Sequence, residues 1–176
     1  MLQEEEIRNN IVTRVAEEML TAARTAPKAK GIDNLVLAMV IGSDIELIAK
    51  KMEEIGNSPE GTPSFIRDAG NIRKTQTVVL MGTRIKSQGV KICGRCGFKD
   101  CDEKDEHPDS PCTFNVGDLG IAIGSAVSLA MDHRVDNRVM YTIGQAVLEM
   151  KLLGDDVKIA FGIPLSVSAK SPFFDR

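Results

Sequence analysis

Alternating helical and strand patterns predict a mixed fold, α/β or α+β, interrupted by one cysteine-rich insertion. Three observations carry this expectation. Apolar residues recur at helical spacing over Glu4–Thr25 and again over the second half of the chain. Short apolar runs bounded by turn residues lie between those helical stretches. All four cysteines fall between Cys93 and Cys112 and none elsewhere. A length of 176 residues predicts a single domain over 1–176 that buries a core without covalent staples, with residues 91–113 as the insertion.

The first helix is predicted over Glu4–Thr25, with Ile7, Ile11, Val15 and Met19 as its apolar stripe. Pro27 ends it, because proline has no N–H to continue the ladder. Ala26–Gly31 is then a loop with two lysines. Asn34–Ile41 reads as a strand covered on both faces. Ser43-Asp44-Ile45-Glu46 has the form of a capping box and opens a second helix with Ile45, Ile48, Met52 and Ile55 inside. Gly56 is placed to end that helix in the left-handed conformation.

A short helical turn is expected over Phe65–Ala69 and a strand over Thr75–Gly82. Asp118–Met131 is apolar almost all round and rich in Gly and Ala, which predicts a central helix able to approach a neighbour, or its own copy, closely. Val139–Leu153 is a further amphipathic helix, and Val157–Ile163 a last strand stopped by Pro164. The polar tail carries Phe173 and Phe174, suited to docking on a partner or on the body of the protein. Met39, Met52, Met81, Met131 and Met140 read as core filler.

Composition excludes several functions. A formal charge of −3, no basic block and few aromatic residues argue against nucleic acid as a partner. The longest unbroken apolar run, Leu35–Ile41, is short of the roughly 20 residues that span a bilayer. The acidic start lacks the basic and apolar regions of a signal peptide, so a cytoplasmic protein without membrane association is expected. There is no Walker loop, no G-x-G-x-x-G and no nucleophile elbow. His133, next to Asp132 and Arg134, reads as part of a charged helix end. No catalytic residue can be named.

The cysteines are spaced C-x2-C-x4-C-x10-C as Cys93, Cys96, Cys101 and Cys112. Two thiolates separated by a glycine-relieved turn can converge on one metal, and Lys91, Arg95 and Lys99 offset their charge. Disulfides are disfavoured in a cytosolic chain. Three close cysteines and one remote favour an iron–sulfur cluster, [4Fe–4S] first, over zinc. Structural zinc sites usually present two knuckles. His107 could replace one thiolate at zinc but sits among acidic loop residues. The alternative is a non-enzymatic domain in which zinc folds the Cys93–Cys112 loop and the protein binds a partner or nucleotide.

Two resemblances sharpen this reading. The CGRCGF…C…C segment, with the AARTAPKAKGIDNL stretch before it, resembles the prokaryotic family of ferredoxin-domain-containing proteins, which has no assigned activity. That resemblance implies Cys93, Cys96, Cys101 and Cys112 as cluster ligands. Ala23-Arg24-Thr25-Ala26-Pro27, Asp118-Leu119-Gly120 and the closing Ile163-Pro164 with Lys170-Ser171-Pro172…Arg176 are similar to flavin-dependent nitroreductases. This second resemblance implies an α+β fold with a nitroreductase-like central sheet flanked by helices. It also implies a homodimer, flavin mononucleotide (FMN) as a cofactor near Arg24, Lys28 and Lys170, and a flavin-linked oxidoreductase as the class of enzyme. Together they point to electron transfer with an unidentified redox partner.

Overall fold

The computed structural model describes residues 1–174. Helix α1 (Glu4–Thr25) leads through a 3-10 turn (Ala29–Gly31) into β1 (Leu35–Ile41), followed by α2 (Ser43–Gly56), α3 (Pro63–Ile72) and β2 (Thr77–Arg84). After a long irregular stretch come α4 (Cys101–Asp105), α5 (Thr113–Asp132), β3 (Asp136–Asn137), α6 (Tyr141–Glu149) and β4 (Val157–Ser166). The four strands form one antiparallel sheet in the order β1-β2-β4-β3.

Strand side chains alternate between faces, so a sheet with helices on both sides needs apolar residues at every position of its inner strands. In β2, Val78 and Leu80 join Ile48, Met52, Phe65, Ile72, Ile143 and Val147 under α2, α3 and α6. Val79 and Met81 join Val12, Val15, Met19, Leu119, Ala122 and Ala126 under α1 and α5. β1 contributes to both cores in the same way. As the edge strand it is mostly half-buried rather than fully covered.

Several local expectations are corrected. The buried stripe of α1 is Val12, Val15, Ala16, Met19 and Ala23, while Ile7 and Ile11 are exposed. The four-residue repeat therefore marked the flank of the apolar face, and the small alanines mark its centre. Ser43 is the first residue of α2, with Gly42 at the N-cap and no side-chain cap. Glu46 accepts hydrogen bonds from Arg73 instead of closing a capping box. Gly56 is helical, and any Cβ there would meet Ile66 Cδ1 at 2.7 Å, so it serves close packing of α2 on α3. Met131 is exposed at the end of α5.

Pro164 does not stop β4. Gly162 exchanges hydrogen bonds with Met140 on the β3 side of the strand, and two residues on Pro164 faces the same side. Ladder pairing there lapses between Asn137 and Met140, so a missing N–H costs nothing. The tail folds back on the body. Phe173 is buried in the first core, its carbonyl accepts from Arg138 Nη1 at 3.0 Å, and the Arg138 guanidinium lies over Phe174. Arg176, part of the closing motif, lies outside the described residues.

α5 begins at Thr113, five residues earlier than expected, and has the length and composition of a membrane-crossing helix, with a mean hydropathy of 1.4. Its polar and glycine residues break every long apolar run, which is why run length alone missed it. One face (Leu119, Ala122, Ala126, Ala130) packs in the second core, while Val116, Ile121 and Met131 are exposed.

Candidate metal centre

The stretch from Ile85 to Cys112 runs from the end of β2 to the start of α5 and is fixed at several points. Asn115 Oδ1 accepts from Lys86 N at 2.9 Å, and Lys30 Nζ donates to the carbonyls of Gln88 and Gly89 at 3.1 and 3.3 Å. Ser87 Oγ donates to Asp105 Oδ1 at 2.6 Å, and Thr113 Oγ1 donates to Arg95 O at 3.0 Å. Asp118 is buried in α5 and accepts from Ala29 N at 3.0 and 3.2 Å and from Gln88 Nε2 at 3.4 Å. One carboxylate thus joins the loop after α1, the cysteine segment and α5.

Within the segment, Gly94 (φ 63) and Gly97 (φ 92) lie in the left-handed region. Residues with a Cβ enter that region at a cost, so these two glycines make possible the turn that follows Cys93 and carries Cys96. Gly97 N donates to Gly94 O at 3.2 Å to close it. Asp100 caps α4 by accepting from Glu103 N at 3.0 Å, which places Cys101 on its first turn. Cys112 is the N-cap of α5 and is buried, so its sulfur stands at the positive end of a 20-residue helix.

All four cysteines are free, and all four border one recess. It is narrow, with about 20 Å³ of water-sized space, and its other walls include Val90, Phe114, Gln88 and Lys104. Among the described residues no three His, Cys, Asp or Glu side chains are drawn together closely enough to hold a metal ion. The donors nevertheless fit a tetrathiolate centre in kind and number: four thiols on one recess, three half-buried and one buried. His107 takes no part in these walls. Its ring stacks on Phe98 with centroids 5.0 Å apart.

The residues suggested for a flavin phosphate lie at the end of α1 and after β4. Arg24 Nη1 donates to Asp33 Oδ2 at 2.5 Å and to Leu35 O at 3.3 Å. Burial raises the Asp33 carboxyl. The Arg24 bond, the Leu35 N–H and the charges of Arg24 and Lys28 outweigh that and hold it below its ordinary range. Lys28 Nζ donates to the carbonyls of Ala23, Arg24 and Ala26 at 2.6–2.7 Å and so caps the C-terminus of α1. Burial is the main reason its ammonium sits below the usual lysine range. Lys170 is exposed after β4. Arg24 and Lys28 therefore meet at the end of α1, with Arg24 Nη1 and the Lys28 ammonium bonded to the chain and the Arg24 side chain about half exposed. His133 pairs with Glu18 at 3.1 Å on the surface at the end of α5.

Lys104, Gln88 and Asn115 escaped the sequence reading. Gln88 is buried and, among the described residues, its Oε1 and the Asn115 Nδ2 have no hydrogen-bond partner. The one available signal was Lys104 itself, the only cation in the acidic run from Asp100 to Glu106 and three residues after Cys101.

Sheet, flanking helices and cysteine recess together define a four-cysteine protein on a nitroreductase-like fold. Similar solved structures include a nitroreductase family protein from Clostridium novyi NT (16% identity, TM-score 0.60, covering 92% of this chain and 76% of that one). They also include a nitroreductase with bound FMN from Desulfitobacterium hafniense DCB-2 (14% identity, TM-score 0.58, covering 93% and 82%). The chain belongs to the family of uncharacterized proteins containing a ferredoxin domain. The family model matches residues 108–176, which include Cys112 but not the other three cysteines. An uncharacterized protein of Archaeoglobus fulgidus is 41% identical over an alignment of 184 positions, covering 100% of this chain and 97% of its own. Family and fold suggest a redox role, and the ferredoxin domain suggests an iron–sulfur cofactor.

Proposed function

We propose that the chain is an iron–sulfur electron-transfer protein on a nitroreductase-like scaffold, with Cys93, Cys96, Cys101 and Cys112 as ligands of one [4Fe–4S] centre. The observation that carries this reading is that every cysteine of the chain borders the same recess. When bound, such a centre supplies reversible one-electron transfer. The chain's own part is to hold the thiolates, to keep water out with Val90 and Phe114, and to set the local charge. Cys96 borders both the recess and a surface groove formed with Arg95, Phe98, Pro111 and Val116, which suits it to face an electron partner. A set of four reduced thiols belongs in a reducing compartment, here the cytoplasm.

Anaerobic purification followed by absorbance, iron and sulfide analysis tests the reading. The expected result is a coloured protein with about four irons and four sulfides per chain. A colourless protein holding one zinc overturns it and leaves the structural zinc reading in its place. The same preparation shows whether FMN co-purifies. We further propose a homodimer, supported by the exposed apolar face of α5, where Val116, Ile121 and Met131 flank Gly117, Gly120 and Gly124. A monomer by sedimentation would refute it.

A further inference from the structure

We propose that Lys104 is a built-in counter-charge for a dianionic tetrathiolate centre in the cysteine recess; this rests on the reading that the four cysteines ligate one centre. Lysine is almost never fully buried without a partner, yet Lys104 is 3% exposed. Among the described residues, the carboxylate paired with its ammonium is Asp105, at 3.5 Å. Asp105 is itself largely exposed and already accepts a hydrogen bond from Ser87. An exposed carboxylate beyond hydrogen-bond reach balances a buried ammonium poorly.

Asp100 also lines this recess, half-buried, and ionised thiols there would add the negative charge that a desolvated ammonium needs. Lys104 shares the walls of the recess with Cys93, Cys96, Cys101 and Cys112. Four thiolates around Zn2+, or around an oxidised cubane core of the same charge, leave a dianion. The other lysines and arginine of the loop, Lys86, Lys91, Arg95 and Lys99, are exposed, and solvent and salt screen them. Lys104 is the desolvated one. With neutral thiols its charge is a burden on the fold, and with a bound centre it becomes an attraction. The same side chain should therefore destabilise the metal-free protein and stabilise the loaded one.

That inversion of sign is the test. Wild type, Lys104→Met and Lys104→Arg are prepared metal-free, then loaded in parallel with iron plus sulfide and with Zn2+. Lys104→Met should melt no lower than wild type without metal. Loaded, it should hold its centre about 10- to 100-fold less tightly against a chelator. Its iron–sulfur form should also have a more negative midpoint potential, since the added electron is no longer offset by the ammonium. Lys104→Arg, which keeps the charge, should restore chelator resistance. The proposal is overturned if Lys104→Met retains wild-type chelator resistance and potential. It is equally overturned if that variant loses stability without metal as much as with it, which marks a packing role. Wild type that takes zinc but no cluster sinks the iron–sulfur reading, while the zinc arm still decides the role of Lys104. Wild type that takes neither overturns both.

Discussion

Helix α6 lies on β4 with no side chain between them at Gly144, and that contact sets the position of one whole core. A Cβ built at Gly144 would stand 1.8 Å from Ala160 O and 2.5 Å from Ala160 C. The opposing atoms are backbone, so no rotamer change relieves the clash. For Gly144→Ala the helix has to retreat by roughly 1.5 Å to reach ordinary contact, and a gap of about 1 Å already forfeits up to half of each dispersion contact. Ile143, Ala146 and Val147, all essentially buried, move with it. Overpacking of this kind costs about 3 kcal/mol at the upper end of its usual range, and the better helix propensity of alanine returns about 1 kcal/mol. The net loss is about 2 kcal/mol, a large share of a typical domain's stability. Gly70→Ala in α3 is the control, because a Cβ there meets nothing within 4 Å. It should gain about 0.5–1 kcal/mol from the same change of residue. Urea unfolding reads both as shifts of midpoint at constant slope. A Gly144→Ala protein as stable as wild type, or a Gly70→Ala protein that is clearly destabilised, refutes the close-approach argument.

Three further expectations follow from single contacts. Asp118→Ala leaves the Ala29 N–H without its acceptor and should cost about 2–3 kcal/mol in urea unfolding. Asp118→Asn should cost less, because Gln88 can turn its unpartnered Oε1 toward the new amide. The depressed Asp33 carboxyl contributes stability that is complete above its ordinary value of 3.8 and is lost as pH falls through the lower folded value. Asp33→Asn should accordingly lose about 1 kcal/mol at neutral pH and flatten the acid limb of a pH–stability curve, and an unchanged acid limb counts against the Arg24–Asp33 clamp. Gly124 is exposed with open space around its Cβ, so Gly124→Leu is harmless to an isolated subunit. If copies pair along α5, sedimentation should show that variant as a monomer, and a persisting dimer places the interface elsewhere.

What could be read in the sequence depended on whether the cause was local or tertiary. α1 was legible at both ends because Pro27 and the periodic stripe are local signals. β2 was legible because four consecutive apolar residues between turns suit a strand buried on both faces. The start of α5 was not, since Thr113–Gly117 mixes Phe114 and Val116 with Thr, Asn and Gly and shows no clear period, and the bond from Lys86 N to Asn115 that ties it down is tertiary. Gly56 and Gly144 look alike as letters. Only packing reveals that neither makes a turn and that each lets another element approach.

The cysteine recess divides along the same line. Cysteine spacing is a covalent, local property, and it singled out the four thiols that border one recess. Charge balance in the recess is a property of burial, and Lys104 is 3% exposed on a wall it shares with the cysteines. In the sequence Lys104 stands among Asp100, Asp102, Glu103, Asp105 and Glu106, where a cation appears fully compensated. Folding turns those carboxylates mostly toward solvent and the ammonium inward. The residue that reads as the most neutralised cation of the loop thereby becomes the one whose charge most needs a partner.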